Sequence, residues 1–258
     1  MADDFYERSL TGARFHNVDL AEASFERVSF RGAQFRDVDL RGVRIRGAML
    51  QDVEVGGELD GLRVNGIDVG PLIENELDRR HPERVKLRPT DAAGFREAWE
   101  IIERLWAETV GRAEQLDEAL LHERVDDEWS FIETLRHLVF ATDAWVRRGI
   151  LGDPSPWHPL DLPWDEMPSD LKGIPRHRDA RPSLKEVLAL RADRMATVRS
   201  YVADLTDEKL AGSTEPIPGP SWPPSESFPI QEVLSIILNE EWWHRQFAER
   251  DLAVLARR

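Results

Sequence analysis

Ten large apolar residues recur at every fifth position of the N-terminal stretch: Leu10, Phe15, Leu20, Phe25, Phe30, Phe35, Leu40, Ile45, Leu50 and Val55. The residue two places before each, from Ala13 to Val53, is Ala or Val, and nearly everything between is polar, charged or Gly. Few backbones accept this period. On an α-helix each step of five advances ~140°, so the stripe would wind around the helix. On a flat strand it would alternate faces. A chain that turns a corner every five residues instead points each large residue inward, with its small partner beside it. Four such faces make a square coil, and coils stack at ~4.8 Å, the spacing of neighbouring strands. Each coil buries its centre only against the next, so several are needed. Gly12, Gly32, Gly42 and Gly47 each fall two residues after a central position, where a corner is expected.

The segment at about 5–69 resembles the pentapeptide-repeat family. That resemblance implies a right-handed quadrilateral β-helix over residues 1–69, of about two and a half coils for ten central positions. The central Phe and Leu residues are expected to be core, not a ligand site. Some members of the family are acidic rods that mimic DNA and bind topoisomerases. Here residues 1–69 carry 13 Asp and Glu against 9 Arg, and Arg31, Arg36, Arg41, Arg44 and Arg46 lie between the central positions. A packing or partner-docking module is the better reading.

Over all 258 residues the net charge is −15, which disfavours nucleic-acid binding. There is no cysteine, so disulfides and thiolate metal sites are excluded, and a transition metal would need His and carboxylate ligands. No apolar run approaches the ~20 residues of a membrane span. The start, MADDFYERSL, lacks the basic and apolar regions of an export signal. A cytoplasmic protein is expected.

Residues 70–89 read as a bridging helix or linker, opened by Gly70-Pro71 and closed at His81-Pro82. Residues 90–258 read as all-α. A first long helix starts near Thr90 or Asp91, with Phe95, Trp99, Ile102, Trp106, Val110, Ala113 and Leu116 at helical spacing. A second opens at a Ser130/Glu133 capping box and runs to about Gly149. A third opens at Ser183/Glu186, with the stripe Leu184, Val187, Leu188, Met195, Val198, Val202 and Leu205. A fourth runs from near Pro229 almost to the C-terminus. The second and third are separated by about thirty residues with seven prolines. Four helices with a long crossover predict a four-helix bundle.

Two of the seven histidines, His137 and His244, lie in segments that read as core. In the fourth helix Glu240 and His244 are i and i+4, on one face and one turn apart. A carboxylate on a core stripe is costly unless paired or bound to a metal. The pair is therefore either an i,i+4 salt link or two ligands of a divalent cation, with a third from a facing helix. Periodicity does not select His137, which lies off the main stripe of its helix, beside Thr134, Ala141 and Ala144.

Residues 90–255, through LRHLVFATDAW and NEEWWHRQFAERDL, resemble the DinB-like superfamily of four-helix bundles, which includes mycothiol-dependent maleylpyruvate isomerases and related thiol S-transferases. The resemblance implies a divalent metal, zinc or nickel, on His137, Glu240 and His244. Glu240 departs from the H-x-x-x-H of many members and agrees with the E-x-x-x-H of the maleylpyruvate isomerase type. Glu241 is a candidate to support a ligand from behind. Trp157, His158, Trp164 and Trp222, in the Pro-rich loops, are candidates for pocket walls. His16, His81, His122 and His177 read as solvent-facing.

The implied activity is metal-assisted activation of a low-molecular-weight thiol, such as mycothiol, for transfer or isomerisation of a small-molecule substrate; the catalytic residues are not assigned. The alternative is a non-enzymatic scaffold with a docking β-helix and a structural or vestigial metal site. A homodimer, or a protein partner bound through the β-helix, is the macromolecular expectation.

Overall fold

The structure is a computed structural model that describes residues 5–36, 38–57, 59–165, 167–219 and 221–258. The export-signal reading rests partly on residues 1–4, outside this set. The chain divides into two compact units, Met1–Gly57 and Glu58–Arg258.

In the first unit the corners fall where the pentad pattern puts them. Positive φ recurs two residues after the central positions, at Glu7, Gly12, Asn17, Glu22, Arg27, Gly32, Gly42, Gly47, Asp52 and Gly57. A ten-residue period is superimposed on the five. Alternate corners are closed turns, in which Ala13, Ala23, Ala33 and Val43 donate to the carbonyls of Leu10, Leu20, Phe30 and Leu40 at 2.9–3.1 Å. With φ positive at the third residue, these have the form of type II turns. Asp19 and Asp39 accept the N–H two residues on, from Ala21 and Arg41 at 2.9 and 3.0 Å. Ser9 and Ser29 hold the same position before Thr11 and Arg31. Short polar side chains are thus placed where they set a turn.

The expected core of this unit is not found. The ten central side chains are 47–71% exposed, and no described residue from 5 to 57 is buried or in a strand. Main-chain bonds in this stretch close turns, and none joins one coil to another among the described residues. A coil centre is covered only by its neighbours, so without coil-to-coil pairing the apolar row stays open. Edge-on contacts link Phe25, Phe30 and Phe35 at 5.5 and 5.6 Å. Residues 61–68, expected to continue the repeat, form a hairpin in the second unit. Its strands β1 (Arg63–Val64) and β2 (Ile67–Asp68) are antiparallel. Asn65 and Gly66, both at positive φ, make the two-residue turn that suits a right-twisted ribbon.

The second unit is helical. Helix α1 (Gly70–Arg80) opens with Pro in its first turn and ends at His81. Helix α2 (Ala92–Ala113) is capped by Asp91, which accepts the Gly94 N–H at 2.7 Å. Helix α3 (Phe131–Thr142) has the complete Ser130/Glu133 capping box and continues as a π-helical stretch, Asp143–Ile150. Helix α4 (Leu184–Ala203) has the second complete box, a short α5 (Asp207–Leu210) follows, and α6 (Ile230–Leu255) is the longest. Helix α3 packs on α4 and α6, and α2 on α6 and α4. Phe95, Trp99, Ile102, Leu135, Leu138, Val187, Val198, Leu234 and Ile237 meet in one core. No helix is long and apolar enough to cross a membrane, among the described residues.

Two features of the core escape the apolar pattern. On α4, Leu184, Leu188 and Met195 are only half-buried, while Arg191 and Arg194 are buried. Arg191 is paired with Glu241 of α6 at 2.9 and 2.7 Å, and Arg194 with Asp143 at 2.8 Å on both oxygens. The Pro-rich loop 151–182 is clamped by Arg136 of α3. Its guanidinium donates to the carbonyls of Leu160, Ala180 and His177 at 2.9, 3.1 and 2.6 Å. Arg136→Leu leaves three acceptors without their donor. It should lower stability by about 3 kcal/mol, read as a shifted urea midpoint, and open this loop first to protease.

Candidate metal centre

His137, Glu240 and His244 converge. One ligand atom from each lies within 4.8 Å of the others. Every residue of α3 except Glu133 is buried, so the helix has more than one packed face, and His137, only 7% exposed, lies on the face turned to α6. Helix α6 brings Glu240 and His244 onto one side, as their spacing requires. The Glu240 Oε2 atom lies 3.3 Å from His137 Nε2 and 3.3 Å from His244 Nδ1. It is aligned for a hydrogen bond with neither, and is a buried acceptor without a donor.

Main-chain carbonyls orient both imidazoles. His137 Nδ1 is 2.9 Å from the Leu162 carbonyl, and His244 Nδ1 is 2.9 Å from the carbonyl of Glu240. A carbonyl can only accept, so each Nδ1 carries the proton and each Nε2 keeps its lone pair. The rings stack at 4.7 Å, and Trp129, the residue before the α3 cap, lies 4.6 Å from the first and 6.1 Å from the second. Phe140 borders His137 and Phe247 borders His244.

Burial is the largest influence on each charged ligand. It pushes the Glu240 carboxyl up, but the adjacent imidazoles outweigh it and hold the group below its ordinary value. Burial, and then the neighbouring His137 imidazole, pull His244 down to about 4. At neutral pH the set therefore has an ionised carboxylate and a neutral His244, the protonation states that bind a cation. The orphaned Oε2 beside the His137 Nε2 lone pair, with the His244 imidazole next to both, fits a divalent ion, and a nitrogen-rich set with one carboxylate suits zinc or nickel.

The remaining candidates have packing or hydrogen-bond partners of their own. Glu241 is fully buried and gives both oxygens to Arg191, so it ties α6 to α4. His158 accepts the Leu160 N–H at 3.1 Å, holding a turn. Trp157 stacks on Phe140 at 5.7 Å, and Trp164 meets Trp222 at 4.8 Å. These tryptophans pack with Phe140, Ala144, Met167 and Ile174 as anchors of the two long loops. The residues missed at the site are Trp129, Phe140, Phe247 and Leu162. Leu162 acts through its carbonyl, for which side-chain identity carries no signal.

A family model described as the DinB superfamily matches residues 101–248, and one described as pentapeptide repeats matches residues 9–47 in 8 copies. No curated protein and no solved structure matches the chain.

His244 makes the metal-free protein sensitive to acid. Its folded-state pKa, about 4, is below the ordinary 6.5, so between these values the unfolded chain takes up a proton that the folded one does not. The contribution is complete above ~6.5 and is lost on the way down to ~4, up to roughly 3 kcal/mol. Urea midpoints measured across this range should fall more steeply for the native chain than for His244→Gln.

Proposed function

The chain belongs to the DinB superfamily, and from that premise we propose that it binds one divalent cation through His137, Glu240 and His244 and activates a low-molecular-weight thiol for transfer or isomerisation. The observation that carries this reading is the convergence of one carboxylate and two oriented imidazoles from separate helices on a point where Glu240 Oε2 has no donor. Zinc or nickel is the proposed ion. When bound, such an ion supplies Lewis acidity that lowers the pKa of a thiol or water at an open position. The chain has no cysteine, so the thiol comes from a small molecule, of the kind mycothiol represents.

The protein's own contribution is to hold its groups in place and exclude water. The Leu162 and Glu240 carbonyls keep the Nε2 lone pairs available. Trp129, Phe140 and Phe247 give the surroundings of the imidazoles an apolar character, which suits a substrate with an apolar body and raises the strength of charge interactions beside it.

A second reading has an observation of its own. The repeat unit presents a row of large apolar side chains, from Leu10 to Val55, that is exposed among the described residues. We propose the quadrilateral β-helix as its closed form, because the corners already fall at the required positions. Closed or docked on a partner, it would serve as an interaction module joined in sequence to the helical unit.

Purified protein should contain one zinc or nickel ion per chain by elemental analysis. His137→Ala and His244→Ala should both lose it while keeping the native circular dichroism. Metal retained in both variants would overturn the ligand assignment. Thiol consumption should then appear with a mycothiol-type thiol and an electrophilic substrate, and vanish in both variants; a metal-loaded protein inert with every thiol would favour the interaction reading.

A further inference from the structure

Next to the carbonyl that orients His137 lies an acid that the proposed chemistry does not use. Asp161 is fully buried in the 151–182 loop. Its Oδ2 accepts the His158 N–H at 3.1 Å, and its Oδ1 has no donor. The neighbouring acid is Asp143, also fully buried, where α3 passes into its π-helical stretch. Both Asp143 oxygens are engaged by Arg194, and Arg147 reaches Oδ1 at 3.4 Å. Two ionised carboxylates side by side, one of them with an oxygen that has no donor, is a costly arrangement. A proton on Asp161 Oδ1 removes the cost, because it turns an orphaned acceptor into a donor on a carboxyl that neighbours Asp143. Burial, and then the charge of Asp143, push the Asp161 carboxyl up to about 8.

The position of this pair matters. Leu162, one residue on, donates its N–H to the Arg136 carbonyl at 3.4 Å and accepts from His137 Nδ1 at 2.9 Å. We propose that Asp161 is a positioning residue for the His137–Glu240–His244 centre: its neutral carboxyl donates to Asp143, docking the loop so that the Leu162 carbonyl holds His137 with Nε2 toward Glu240. The proposal rests on the reading of His137 as a ligand only for its consequence for metal; the docking itself is a property of the metal-free chain. The groups facing Asp161 are Arg136 of α3, Asp143 from the end of α3, itself in reach of Arg147, Arg194 from α4, itself shared with Asp193, and His158 from the loop. His158 is held below its ordinary value by burial and by Arg194, so it adds little positive charge near neutral pH.

Because the folded pKa of Asp161 is raised, its contribution to stability is complete below the unfolded value, ~3.9, and is lost as pH rises toward ~8. An amide has the shape of the neutral acid and keeps its donor at every pH. Asp161→Asn should therefore come nearest the native chain at about pH 4 and exceed it by a urea-midpoint difference that widens up to pH 8–9, both measured without metal. In the same metal-free samples, nitrogen NMR of His137 should report the Nδ1–H tautomer in the native chain and in Asp161→Asn, and a mixture in Asp161→Ala. Zinc titration at pH 7 should give Asp161→Asn an affinity within about twofold of native, and Asp161→Ala a loss of about tenfold or more. A tautomer mixture or a lower alkaline midpoint in Asp161→Asn overturns the proposal, as does an unchanged tautomer in a folded Asp161→Ala. If native protein binds no zinc, the metal reading fails alone, and the midpoints and tautomers still decide this one.

Discussion

The helical unit depends on how the carbonyls of a proline-rich loop find donors. Each proline in 151–182 removes a main-chain N–H but keeps a carbonyl, so the loop has too few donors to satisfy itself when it packs against protein. Arginine is the natural remedy, with five N–H groups and no acceptor. Arg136 serves three loop carbonyls. Arg148 serves those of Pro154 and Ile217, so it ties both long loops to the end of α3. Arg176 donates to Met167 and Pro168, and Arg178 to Pro163 and Trp164, within the loop itself. The tryptophans then fill the apolar gaps between loop and helix. This is why they behave as anchors: a loop without regular hydrogen bonding is held by large rings and side-chain donors together.

The same economy shapes the contact between helices. Helix α4 has a weak apolar stripe because two of its inward positions are arginines, bound to Glu241 and Asp143. Replacing buried ion pairs with apolar groups often leaves stability unchanged or raised, so their value is more one of register than of net energy. Arg191 has one partner geometry, a two-bonded fork on Glu241, which sets the height of α4 against α6. Glu241 is next to Glu240 in the chain, so the fork also sets the height at which Glu240 meets His137.

Helix ends, caps and the corner period were legible because they are local. Ser130 with Glu133, Ser183 with Glu186, and positive φ two residues after each central apolar residue depend on a few neighbouring side chains. His137 was legible only through family resemblance. A helix buried on nearly every side has no single stripe, so periodicity cannot tell which residue faces α6. Burial of the repeat rows depends on one coil pairing with the next, and no local pattern guarantees that. Asn65-Gly66 carried a hairpin signal that the pentad reading absorbed. Arg136, Arg191 and Arg194 read as surface residues by type, and only the carbonyl and carboxylate partners supplied by distant segments make them interior.

Helix α3 is where these constraints meet. Its capping box fixes Ser130 as the first turn's cap, which places Trp129 immediately outside the helix and against both imidazoles. One turn in, Arg136 and His137 are adjacent, so they point in different directions: the first to the loop, the second to α6. The loop returns over His137 through Leu162, and the helix ends at Asp143, which Arg194 holds. A shift of α3 along its axis would therefore alter the cover over the site, the lone-pair direction of one ligand and the loop clamp together. The site's geometry follows from the position of that one helix, and the position is set by charge-assisted hydrogen bonds at residues 136 and 143 as much as by the apolar core.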